Sequence, residues 1–180
     1  MVKNKVLMKT CTKFMFVLLV LILLLSFTGC QKTYAFEELR QSYDEIHTGW
    51  VNKEYRGVVD LGIEAIKKGN KVGYIIAVDM NKENSYAKET IQKLKEKYGD
   101  ILKIGYDSLE KYTAEELKPY HEEIRTDMEN GKYPGLTEIT GDVLSVDFNH
   151  EKAEQTAESL KLKYGDKVIV RICEIYISQL

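Results

Sequence analysis

The sequence predicts an α+β fold: two ββαβ units forming a mixed sheet with helices packed on one side. An N-terminal helix precedes the units and a helical insert separates them. Three observations predict this. Residues 87–100 (AKETIQKLKEKYGD) align without gaps to residues 153–166 (AEQTAESLKLKYGD), with 8 identities in 14. Just upstream, VDMN at 78–81 matches VDFN at 146–149 once a two-residue difference in the connection is allowed. Tyr55-Arg56-Gly57-Val58 parallels Tyr133-Pro134-Gly135-Leu136, each followed two residues later by an acid and then Leu61 or Ile139. Matching segments in the same order mark an internal repeat. The expected boundaries are 54–108 for the first unit and 132–180 for the second, with 109–131 as the insert between them.

Helices follow from spacing. Ala87, Ile91, Leu94 and Tyr98 are separated by four, three and four residues, as are Ala153, Ala157, Leu160 and Tyr164. Each set makes one apolar stripe with charges opposite. Gly99 and Gly165 stand where a helix ends in a left-handed conformation that glycine tolerates. Lys95 and Lys97, like Lys161 and Lys163, place positive charge at the negative end of the helix dipole.

Strands flank each helix. Val59, Leu61, Ile63 and Ala65 alternate with polar or small residues before a turn at Lys68-Gly69-Asn70. Val72 to Met80 is nearly continuous in apolar character, which suits a central strand. Ile101 to Tyr106 makes a third strand. The second unit repeats the plan with a shorter hairpin around Thr140-Gly141-Asp142, a strand over 143–148, a helix near 151–164 and a strand near 167–178.

Two further helices are expected. Phe36, Leu39, Tyr43 and Ile46 form an apolar stripe within the 30–53 segment. In the insert, Thr113-Ala114-Glu115-Glu116 fits a capping box, Leu117, Tyr120, Ile124 and Met128 supply the stripe, and Gly131 is the stop. Pro119 has to fall in the first turns of this helix or break it.

The first 29 residues have the parts of a secretory signal. Lys3, Lys5, Lys9 and Lys13 form a basic region with no acid before Glu37. Phe14 to Phe27 is then apolar except for Ser26, a run of 14 residues; a spanning helix needs about 20. The closing Phe27-Thr28-Gly29-Cys30 resembles the lipobox of bacterial lipoproteins, with Phe27 where the family usually has leucine. The resemblance covers residues 1–30 alone. It implies cleavage before Cys30, a diacylglyceryl group on the Cys30 sulfur, and a protein held by lipid at the cell membrane on its extracytoplasmic face. Two or three acyl chains hold a protein stably, because each buried methylene adds about 0.8 kcal/mol. The short connection from Cys30 to the first helix keeps the body near the bilayer.

Removal of residues 1–29 leaves 22 basic against 28 acidic side chains, a net charge of −6. A negative chain without a basic tract is a poor nucleic-acid ligand and is not expected to adhere to anionic lipid by charge. Cys11 leaves with the signal and Cys30 is committed to lipid, so Cys173 has no disulfide partner in the chain. Its apolar surroundings, Val168-Ile169-Val170-Arg171-Ile172, suit a buried thiol that packs as a small hydrophobe.

The search for chemistry yields little. His47, His121 and His150 are far apart in sequence, and none pairs with another at helix-face metal spacing. No phosphate loop, nucleophile elbow or dinucleotide fingerprint is present, and no metal or cofactor is expected. Asp79 and Asp147 are the candidate ligand-site residues, since both close a predicted central strand at matching repeat positions. Ligand sites gather where strands hand over to helices, although aspartates at such corners also bond backbone amides. Twelve tyrosines and the single Trp50 add amphipathic surface suited to binding. The expected function is non-enzymatic binding of another envelope component, a protein or an extended peptide. The alternative is a hydrolase of cell-wall or peptide substrates using an Asp or His as acid/base.

Overall fold

The computed structural model describes residues 32–106 and 112–174. The expected signal and lipobox, through Cys30, and the end of the final predicted strand lie outside them.

Among the described residues, four α-helices and six strands follow one another: α1 (Phe36–Val51), β1 (Val58–Lys68), β2 (Lys71–Met80), α2 (Ala87–Tyr98), β3 (Leu102–Tyr106), α3 (Ala114–Glu129), β4 (Leu136–Thr140), β5 (Val143–Asp147), α4 (Ala153–Tyr164) and β6 (Ile169–Cys173). The fold is α+β, with one six-stranded mixed sheet in the order β3-β2-β1-β6-β5-β4. β1 pairs antiparallel with β2 and with β6, and β4 with β5; β2·β3 and β5·β6 are parallel, each bridged by a helix. The middle of the sheet is its thinnest joint, because β1 and β6 share only the pairs Ile63/Ile172, Glu64/Arg171 and Ala65/Val170.

The alternation of side chains along a strand separates the two faces. Leu61, Ile63, Ala65, Tyr74, Ile76, Val78, Met80, Leu144, Val146, Val170 and Ile172 share one parity within each strand and belong to a single buried cluster. Phe36, Leu39, Tyr43 and Ile46 of α1, Leu94 of α2, Ile124 of α3 and Leu160 of α4 enter the same cluster. On the other parity Glu64, Asp79 and Arg171 are buried near Ile75 and Ala77.

One expected core residue is displaced. The β1·β2 register shifts between Val58 and Asp60, so Val58 turns inward at 8% exposure and Val59 outward at 44%. A bulge adds a residue and reverses the alternation beyond it. Strict alternation from Val59 had missed it.

The insert helix carries its predicted cap: the Glu116 amide donates to Thr113 Oγ1 at 3.3 Å and the Thr113 amide to Glu116 Oε2 at 2.9 Å. Pro119 falls in the second turn and α3 runs through it.

The two ββαβ segments share local geometry in detail. Thr90 in the first turn of α2 donates to the Arg56 carbonyl at 2.8 Å, and Thr156 in the first turn of α4 to the Pro134 carbonyl at 2.6 Å. The Asn81 amide donates to the Gly57 carbonyl and the Asp147 amide to that of Gly135, both at 2.8 Å. Gly57 and Gly135 have φ of +88° and +83°, a region L side chains rarely enter.

Candidate functional site

Above the three-residue β1·β6 ladder the two strands part, and a cleft of about 410 Å³ opens between the segments. That volume lies in the range of small-ligand sites. Tyr43, His47 and Trp50 of α1 line it with Asp60 and Leu61 of β1, Cys173 and Glu174 at the end of β6, Ser145 of β5, and Thr137 and Glu138 of β4.

The aromatic wall is a chain of rings set at helical spacing. Tyr43 stacks on Phe148 with centroids 4.7 Å apart, His47 stacks on Tyr43 at 5.9 Å, and Trp50 meets His47 edge-on at 6.1 Å. The ends of the wall are tied to backbone. Trp50 Nε1 donates to the Val58 carbonyl at 3.1 Å, and the Glu174 amide donates to the Tyr43 hydroxyl at 3.1 Å. His47 Nδ1 lies 3.4 Å from Glu174 Oε2.

On the other face of the sheet, the cleft residue Asp60 joins an ion-pair group centred on the buried Arg171. Arg171 donates to Asp79 Oδ2 at 2.8 Å and to Asp60. To get there its side chain crosses Gly62, where an added Cβ would stand 3.3 Å from Arg171 Cβ. Burial disfavours the guanidinium charge, but the hydrogen bond and attraction of Asp79 outweigh it, and the Arg171 pKa is raised. Glu64 beside Arg171 accepts from Lys103 at 2.7 and 2.8 Å. The Arg171 Nε is buried without a hydrogen-bond partner among the described residues. Burial pushes the Cys173 thiol up to about 11, with the Asp60 carboxylate adding to it. That thiol stays protonated at neutral pH and is a poor nucleophile.

Asp79 and Asp147 do not meet. They belong to strands separated by β1 and β6, three strand spacings or about 14 Å. Asp79 is spent on Arg171, while Asp147 Oδ1 accepts from the Asn149 amide at 3.0 Å and holds the turn. His121 bonds the Gly141 carbonyl and His150 Nδ1 accepts from the Lys152 amide; His47 alone of the three lines the cleft. Among the described residues no cluster of His, Cys, Asp or Glu is arranged to hold a metal ion. A larger depression of about 720 Å³ runs along α1 past Glu37, Asp44 and Glu45. It is more open and edged by solvated pairs such as Lys97–Glu45, so it offers less enclosure than the cleft.

The cleft residues come from five elements and sequence reasoning did not assemble them. One signal was available: Arg171 is the only charge in the run 168–173, and a charge in a central strand requires a buried partner.

Compared with protein-family models, curated proteins and solved structures, the chain matches none. Among the described residues no helix is long and apolar enough to cross a membrane.

Proposed function

We propose that this protein is a lipid-anchored extracytoplasmic binding module that recognises another envelope component, a protein or peptide, through the central cleft. The observation that carries the reading is the cleft itself: an aromatic wall with Asp60, Glu138 and Glu174 around it. Rigid rings provide contact area at low entropic cost and the polar groups orient what they hold. The chemistry favours binding over hydrolysis. The thiol is neutral, and Asp79 is committed to a guanidinium instead of being poised for proton transfer.

A tandem duplication accounts for the cleft's position. The paired threonine, glycine and strand-end bonds support a reading as two copies of one ββαβ unit, with the cleft where the copies would be joined. The second copy has the shorter hairpin, five residues in β4 against eleven in β1.

The anchor reading rests on Phe27-Thr28-Gly29-Cys30, and the residues just after it are fixed to the body. Lys32 pairs with Asp100, and Tyr34 exchanges both backbone hydrogen bonds with Tyr74 at 2.9 Å. Metabolic labelling with a lipid precursor tests it: wild type incorporates label and Cys30→Ala does not. Equal labelling of the two would refute the anchor.

A further inference from the structure

We propose that the tip of the β1–β2 hairpin is a second membrane contact, binding anionic phospholipid headgroups beside the lipid anchor. The inference rests on the anchor reading above. From Ala65 to Val78 the chain carries Lys67, Lys68 and Lys71 and no acidic residue. The tip, Lys67 through Lys71, is exposed. Lys67 Nζ donates to the Leu162 carbonyl at 2.9 Å, which sets the 40% exposed Leu162 beside the lysines. Ammonium groups next to an exposed apolar side chain suit the boundary between headgroups and acyl chains.

The position of the anchor selects the occupant. Tyr34 pairs with Tyr74, three residues from Lys71, and Thr33 packs against Gly73 at the base of the same hairpin. Cys30 precedes Lys32 by two residues, at most about 7 Å of chain. The body is therefore held to the bilayer at this end of the sheet, where the hairpin lysines meet whatever charge the surface presents. The acidic net charge does not oppose this, because attraction to anionic lipid is local and falls off within a Debye length. The cleft lies at the far end of β1. Asp60 is eight residues from Lys68, about 26 Å along the strand, so a bilayer at the hairpin leaves the cleft facing away from the membrane.

The test uses the purified full-length lipidated protein in vesicles, with a photoreactive amino acid in place of Asn70 or, as a control, of Glu138. In phosphatidylglycerol–phosphatidylcholine vesicles Asn70 yields a phospholipid adduct and Glu138 does not. Replacing Lys67, Lys68 and Lys71 with Gln lowers the Asn70 yield, by about fivefold for each lysine that touches lipid. Replacing them with Arg preserves it, and so separates charge from folding. Pure phosphatidylcholine gives the low yield throughout. An Asn70 yield equal to that of Glu138, or unchanged by the Gln substitutions, overturns the tip contact while Cys30 still carries its lipid mass. An unmodified Cys30 in the same spectrum removes the tether, and the proposal falls with the anchor reading.

Discussion

Arg171 on β6 reaches across β1 to donate to Asp79 on β2 at 2.8 Å, passing over Gly62 to do so. This bond joins the two ββαβ segments at the level where the backbone ladder between them has ended. Breaking it from the cationic side leaves Asp79 buried with no countercharge. Arg171→Met should destabilise the protein by about 3–5 kcal/mol in urea denaturation. Asp60→Asn, at a half-exposed side chain, should cost less than about 1 kcal/mol. Similar costs for the two would mean that Arg171 is not the buried tie described.

The threonines at the helix starts make the same bond in both segments. Each hydroxyl is buried and satisfies a carbonyl of the preceding loop. Thr90→Val and Thr156→Val should each cost about 1–2 kcal/mol, and the double variant their sum within about 0.5 kcal/mol. Strong coupling between the two sites would contradict their placement in separate segments.

Gly135 sits at φ +83°, and a Cβ there would come within 2.8 Å of the His150 ring. Gly69, at φ +62°, has open space around it. Gly69→Ala should therefore show the backbone cost alone, about 1 kcal/mol. Gly135→Ala should exceed it by the clash, visible as a larger drop in Tm. Equal drops would show that His150 yields freely.

Cys173 gives a pH signature. Its thiol is raised from 9.0 to about 11 in the fold, so the native state keeps a proton that the unfolded chain loses first. The contribution is fully present below pH 9 and declines as pH rises towards 11. Cys173→Ser should flatten that alkaline decline. Alkylation of wild type by iodoacetamide should be slow at neutral pH and accelerate into the alkaline range. Rapid labelling at neutral pH would contradict a half-buried, protonated thiol.

Much of the framework was legible in the sequence because it is local. The apolar spacing of Ala87 to Tyr98 and of Ala153 to Tyr164 defines α2 and α4 within their own turns, and Thr113 with Glu116 announces the start of α3. The bulge after Val58 was not legible, since either residue could have faced inward until β2 set the register. The cleft was hidden for a related reason. Trp50, Asp60, Glu138 and Cys173 meet only because a β1·β6 pairing closes a long loop of chain, and no spacing rule spans that distance. Matching VDMN with VDFN put Asp79 opposite Asp147, but in the fold Asp147 makes the bonds that Asn81 makes, and the strand order sets β1 and β6 between the two aspartates.

The central claim is that the anchored protein holds an envelope partner in the cleft. The most direct measurement is photo-crosslinking in living cells, with a photoreactive amino acid in place of Thr137 on the cleft wall or of Glu129 at the exposed end of α3. The account predicts a discrete adduct at Thr137, absent at Glu129 and diminished by Glu138→Lys. No discrete adduct at Thr137, or the same adduct at both positions, would contradict it.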